Sequence, residues 1–225
     1  VRGLLIANDA DGDPGLVGEH LARRGCTLER WARELSGGWP LLDAPDLPDL
    51  VVLLGSDWSV YWPHVSTEVA AEQALVRAAH DRGIPLLAIC FGAQVVASAL
   101  GGIVERAPWP EIGWHRVDSL APDVVHPGPW MQWHSDRCTL PPGATLLATS
   151  PVGPQAFRLG RTLAVQFHPE VTSSIVERWS AGAGAAELAA HGVDRDALLR
   201  ETALRVEQIR PATERLVDEV LMLVR

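Results

Sequence analysis

Cys90 is followed by Phe-Gly-Ala-Gln94, and about eighty positions later stand His168 and Glu170 with one proline between them. A thiol, an imidazole and a carboxylate are the groups that nucleophilic acyl chemistry requires: an attacking sulfur, a base to take its proton, and an acid to fix that base's tautomer and orientation. Two-residue spacing at a strand end lets Glu170 accept from one ring nitrogen while the other faces Cys90. A cysteine alone is commonly just a small buried hydrophobe, and a lone histidine or glutamate is usually structural. It is the three together that point to catalysis. Cys138 and His134 form a second conceivable pair, but Cys138 follows no sharp turn, and His134 is expected to shape a substrate wall instead.

These side chains need elements to hold them. Residues 86–89 are continuously apolar after Pro85 and read as a strand buried on both faces of a parallel sheet. Residues 91–100 carry Ala, Val and Leu at helical spacing, so the chain turns sharply at Cys90. Such an elbow puts the sulfur at the carboxyl edge of the sheet, over free backbone N–H groups and a positive helix end that favours thiolate. Ala88 and Gly92 are small where the backbone turns. Residues 164–170 repeat the pattern, an apolar strand ending in polar residues.

The remaining chain supplies a frame of the same kind. Residues 1–7 read as a strand, 8–15 as a loop, 16–24 as a helix and 26–31 as a second strand. A Gly/Pro/Asp-rich connection spans 37–48, and 50–54 is another buried strand. It ends in the tight loop Gly55-Ser56-Asp57-Trp58, on the edge where open α/β sheets place their sites. A helix follows over 67–81, with Gly83 as its C-cap. After Gly101 the runs 103–106, 112–118, 130–133, 144–149, 155–159 and 162–166 have the texture of antiparallel strands and hairpins. From residue 173 the chain is helical again. Asp194 caps a long charged helix that Pro211 should break or kink, with an apolar stripe through Leu204, Ile209, Leu216, Val220 and Leu223. The expected fold is α/β: a mostly parallel, flavodoxin-like open sheet flanked by helices, with an added antiparallel portion. Residues 1–180 form one domain, and 181–225 a helical extension packed on it.

Composition narrows the function. The chain of 225 residues has a net charge of −9 and its 19 basic residues are all arginine. That charge argues against nonspecific nucleic-acid binding, and the missing lysine excludes Schiff-base chemistry and a lysine-containing phosphate loop. Three separated cysteines suggest neither a disulfide framework nor a metal clamp, and no apolar run is long enough for a membrane span, so a cytoplasmic address with reduced thiols is expected. Asp9, Asp11 and Asp13 have the spacing of a calcium loop without its closing glutamate and read as a solvated loop. No metal or organic cofactor is implied. Most of the nine tryptophans are expected to pack in the core and hairpins, some of them to widen a pocket.

Taken together, Cys90-Phe-Gly-Ala-Gln94 and Gln166-Phe-His168-Pro-Glu170 resemble the class I, or triad, glutamine amidotransferases, particularly the glutaminase domain of GMP synthase and its stand-alone relatives. The resemblance extends through Glu111-Ile-Gly-Trp114, Gln132-Trp-His134-Ser-Asp136 and Leu140-Pro-Pro-Gly-Ala144, and so over roughly residues 1–180. It implies that Cys90 attacks the side-chain amide of glutamine, His168 shuttles the proton and Glu170 orients it. Backbone N–H groups of Phe91 and Ser56 would hold the oxyanion, while Gly55, Gln94, Ser135 and Asp136 would hold the glutamine moiety. Ammonia would pass to a separate synthetase or acceptor subunit. Alternatively, the chain hydrolyses a γ-glutamyl peptide or amide, or is a noncatalytic regulatory subunit. Two positions depart from the family pattern. Ala88 replaces a common glycine, and Gly55-Ser56-Asp57 replaces a loop of two glycines and a proline. If that loop needs positive φ at Ser56, the cost is on the order of 1 kcal/mol and the oxyanion site would stay unformed until a partner or substrate binds.

Overall fold

The computed structural model describes residues 1–34, 39 and 47–224, so most of the connection expected over 37–48 lies outside the described residues. Strands β1 (Arg2–Ala7), β2 (Thr27–Ala32), β3 (Leu50–Leu53) and β4 (Leu86–Ile89) are all parallel, in the order β2-β1-β3-β4. Alternate residues of these strands serve opposite faces, as the pleat requires. Leu5, Ala7, Val52, Leu87 and Ile89 pack with Leu16, Val17 and Leu21 of helix α1 (Gly15–Arg23). Leu4, Ile6, Val51, Leu53, Leu86 and Ala88 pack with Val69, Val76 and Ala79 of α2 (Ser66–Asp81) and Val95 and Val96 of α3 (Phe91–Ala99). Both faces are covered, which is why these strands read as unbroken apolar runs.

The second half departs from the expected hairpins in two ways. Runs 103–106 and 112–118 are not separate strands. Residues Val104–His115 form one long strand, β5, irregular between Arg106 and Glu111, where Pro108 and Pro110 cannot donate to a ladder. It pairs with β7 (Trp130–Cys138), longer than the expected 130–133, in a two-stranded sheet of its own. The other strands, β6 (Asp118–Ser119), β8 (Thr145–Thr149), β9 (Pro154–Leu159) and β10 (Thr162–Val165), extend the main sheet to eight in the order β4-β10-β9-β8-β6. β10 is antiparallel to β9 but parallel to β4, with Val165 beside Ile89. That return to the parallel sheet carries the chain beyond Val165 to the same edge as Cys90.

Helices α4 (Ser173–Trp179), α5 (Ala183–Ala190) and α6 (Arg195–Leu221) follow. Asp194 caps α6 by accepting from the N–H groups of Asp196 and Ala197. The helix runs on through Pro211 instead of ending there. One missing backbone bond is outweighed by the burial of Ile209, Ala212, Leu216, Val217 and Val220 against the sheet and α1. The expected stripe also changes membership: Leu204 is 68% exposed, and Val206 is buried in its place. No helix among the described residues is long and apolar enough to cross a membrane.

Candidate active site

Cys90 stands between β4 and α3 with φ 52°, the one positive value for a non-glycine residue among those described. The elbow holds it there because both neighbours are fixed. The Cys90 N–H bonds the Val165 carbonyl at 2.8 Å, and a side chain at Gly92 would lie 2.6 Å from the Leu53 carbonyl oxygen. Sulfur is thereby aimed out of the sheet edge at a small energetic cost.

The His168-Pro169-Glu170 segment is fixed by three different elements. The His168 N–H bonds the Met131 carbonyl of β7 at 2.8 Å, Thr213 of α6 donates to the Pro169 carbonyl at 2.9 Å, and the Leu16 N–H of α1 reaches the Glu170 carbonyl at 2.8 Å. Gly15 lets α1 come this close, since its φ is +43° and a Cβ would sit 1.9 Å from the Glu170 carbonyl oxygen. His168 Nδ1 donates to Glu170 Oε1 at 2.7 Å, leaving Nε2 buried and free of any acceptor among the described residues. Burial alone would lower the imidazole pKa, but the Glu170 charge and then the Cys90 sulfur outweigh it and hold His168 well above its usual value.

The other candidate residues fall around this centre. A side chain on Gly55 would lie 2.9 Å from His168 Cε1 and 3.6 Å from Cys90 Cβ, so the loop after β3 closes directly on the thiol and imidazole. Ser56 lines the same cavity and does not have positive φ, so the condition for a strained, unformed loop is not met. Phe91 is the first residue of α3, where the N–H has no partner within the helix. Gln94 lines the cavity, and its amide donates to Gln166 Oε1 at 3.2 Å; Gln166 Nε2 in turn points at Cys90 Sγ at 3.6 Å. Ser135 and Asp136 lie on β7 at the cavity wall, where Asp136 accepts from Ser59 Oγ at 2.5 Å and Tyr61 OH at 2.9 Å.

The cavity has a volume of about 410 Å³. Trp58, Trp62, Trp133 and Trp179 line it, whereas Trp130 is wholly buried and Trp109 is exposed on β5. Trp179 stands against the His168 ring with centroids 4.7 Å apart and donates to Asp11 Oδ2 at 2.6 Å. Asp11 is therefore a wall of the cavity and not simply part of a solvated loop, and burial raises its pKa. Behind β7, Glu111 meets His134 Nε2 at 3.1 Å and accepts from Gln155 Nε2 at 2.8 Å, and Gln132 donates to Gln155 at 2.7 Å. Burial would raise the Glu111 pKa; His134 and Ser150 hold it below the usual carboxylate range.

Trp179 and Ser59 were not expected at the site, and Gln166, Asp11 and Tyr61 were not expected in the contacts they make here. Gln166 belongs to the same strand-end motif as His168. Trp179 gave no signal, because it depends on α4 folding back over the site. Among the described residues, no group of three or more His, Cys, Asp or Glu side chains is arranged to hold a metal. Cys26, Cys90 and Cys138 are free thiols. Cys138 does not line the cavity and burial pushes its thiol up to about 12, both of which argue against a second nucleophile there; burial raises Cys26 as well. Iodoacetamide applied to the native protein is thus expected to alkylate Cys90 alone, with Cys26 and Cys138 labelled after denaturation. Peptide mapping by mass spectrometry would contradict this if Cys138 were labelled at a comparable rate in the folded state.

An open α/β sheet with a cysteine elbow at its carboxyl edge and a His–Glu pair one strand away brings together the groups that acyl transfer through sulfur requires. Residues 48–178, more than half of the chain, match the family model described as glutamine amidotransferase class-I, and the chain belongs to that family. It is 37% identical over 136 residues to GMP synthase [glutamine-hydrolyzing] of Brucella melitensis, an alignment covering 55% of this chain and 25% of the relative. The chain thus spans about a quarter of the length of that curated relative. A crystal structure of a glutamine amidotransferase from Thermotoga maritima is similar with a TM-score of 0.86 and 27% identity, over 98% of both chains. A glutamine amido transferase from Methylobacillus flagellatus has the same fold, with a TM-score of 0.82 at 22% identity over 100% of this chain and 95% of that one.

Proposed function

We propose that the chain hydrolyses the side-chain amide of glutamine through a cysteine thioester. The observation that carries this reading is the convergence of the Cys90 elbow and the Glu170-bound His168 ring on one cavity. Cys90 sulfur attacks the amide carbon. The oxyanion forms against the N–H groups of Phe91 and Ser56, and collapse of the intermediate expels nitrogen, protonated by His168, as ammonia. Water, deprotonated by the same imidazole, then cleaves the γ-glutamyl thioester to glutamate and restores the thiol. Gly55, Gln94, Ser135 and Asp136 are the side of the cavity we assign to the glutamine moiety. The ammonia passes to a separate synthetase or acceptor subunit, and three free cysteines fit a reducing cytoplasm.

A second reading has its own support. Four indoles and about 410 Å³ give a cavity larger and more apolar than glutamine alone requires, which suits hydrolysis of a γ-glutamyl amide with a bulkier amine. The test is release of ammonia and glutamate from glutamine, run beside a panel of γ-glutamyl alkyl and aryl amides. Equimolar ammonia and glutamate, with glutamine the best substrate, is the expected outcome. Strong preference for an alkyl or aryl amide would replace the glutaminase reading with the amide-hydrolase one. Hydrolysis of neither would overturn both.

A further inference from the structure

Arg33 lies in the turn after β2, 1% exposed, and all five of its guanidinium N–H donors are matched. Two go to Glu72 of α2, at 2.8 and 3.0 Å. One goes to Asn8 Oδ1 at 2.9 Å, and that amide is itself oriented by donating to Glu34 Oε1 at 2.7 Å. The remaining two go to the backbone carbonyls that enter the loop after β3, Leu54 at 2.8 Å and Gly55 at 3.0 Å. The guanidinium carbon also lies 5.0 Å from the centre of the Phe91 ring.

The carbonyl contacts bear on the reaction. In a trans peptide the C=O and the following N–H point in opposite directions. Drawing the Gly55 carbonyl toward Arg33 therefore turns the Ser56 N–H away from Arg33. Ser56 lines the cavity, and His168 and Cys90 lie against Gly55 itself, so they adjoin the same peptide. The same guanidinium backs the ring of Phe91, whose N–H is the other candidate donor. We propose that Arg33 is a positioning residue that holds the Gly55–Ser56 peptide with its N–H toward Cys90, so that the oxyanion site is formed before substrate arrives. This rests on the cysteine amide-hydrolase reading above. It also accounts for how a Gly-Ser-Asp loop serves without a second glycine: the orientation is imposed from behind by a charged fork, not by positive φ at Ser56.

Stability alone does not call for such a residue, since a buried ion pair is often matched by apolar side chains of similar volume. What apolar side chains cannot do is hold two carbonyls. The test is the double variant Arg33→Met with Glu72→Leu, which leaves no buried charge without a partner. We expect kcat to fall about 10²-fold or more with KM changed less than about threefold, because one oxyanion donor is typically worth that much. Alkylation of Cys90 by iodoacetamide, which forms no oxyanion, should stay within about twofold of wild type. A crystal structure of the double variant should show the Gly55–Ser56 peptide rotated. Unchanged kcat together with an unrotated peptide would overturn the proposal. A wild-type chain inactive on every amide would sink the functional reading instead, and the peptide's orientation in wild type and variant would still decide the role of Arg33. If the double variant does not fold, Arg33→Lys keeps the charge against Glu72 with three donors in place of five, and the same readouts apply.

Discussion

Cys90→Ala is expected to lower glutamine hydrolysis by at least about 10⁴-fold, because the thioester route then has no sulfur to begin it. The variant separates chemistry from folding cleanly. Cys90 sits at φ 52°, a conformation that burdens alanine as much as cysteine, and its small side chain lines the cavity. Urea denaturation should therefore place Cys90→Ala near wild type. Cys90→Gly should be equally inactive but more stable than Cys90→Ala by about 1 kcal/mol, relief of the elbow's strain exceeding glycine's entropic cost in the unfolded chain. The two variants together separate the elbow's backbone strain, read in stability, from the chemistry of the sulfur, read in activity. Residual ammonia release from Cys90→Ala within about tenfold of wild type would remove Cys90 as the nucleophile.

How far this centre could be read from the chain depends on what held each part together. The elbow and the apolar strands beneath it were legible because local rules specify them: period, small residues, and a helix beginning at the turn. The His168–Glu170 pair was legible because its two members lie two positions apart on one strand end. The meeting of the two halves was expected from the chemistry and the family resemblance but not from local pattern, since a run such as 162–166 looks alike whether its neighbour runs parallel or antiparallel. Only pairing with β4 carries it beside Cys90. Arg33 left no trace, because its partners are backbone carbonyls, Asn8 and a glutamate 39 positions away. Leu204 was misplaced for a related reason. Period alone defines an apolar stripe on α6, but the crossing of α6 over α1 decides which edge of that stripe is covered.

The second large effect concerns the pair that serves Cys90. Glu170→Gln is expected to lower kcat by about 10²–10⁴-fold, as loss of the orienting carboxylate does in comparable triads, while the fold persists on the backbone bonds to Met131, Thr213 and Leu16. The direction with pH follows from His168. Burial pulls its pKa down; Glu170 and then Cys90 pull it up and win. The folded chain thus keeps the imidazolium at pH values where the unfolded chain, with histidine near 6.5, has released it. That contribution to stability is complete below about pH 6.5 and is lost as pH rises toward the folded value, with a slope of at most about 1.4 kcal/mol per pH unit. In Glu170→Gln the leading upward influence is gone, so the loss of stability above about pH 6.5 should shrink. The basic limb of kcat/KM, set by loss of the His168 proton, should likewise move to lower pH in the variant. Measuring both profiles on the same preparations is decisive: a basic limb unmoved by Glu170→Gln would mean that some other group carries the proton.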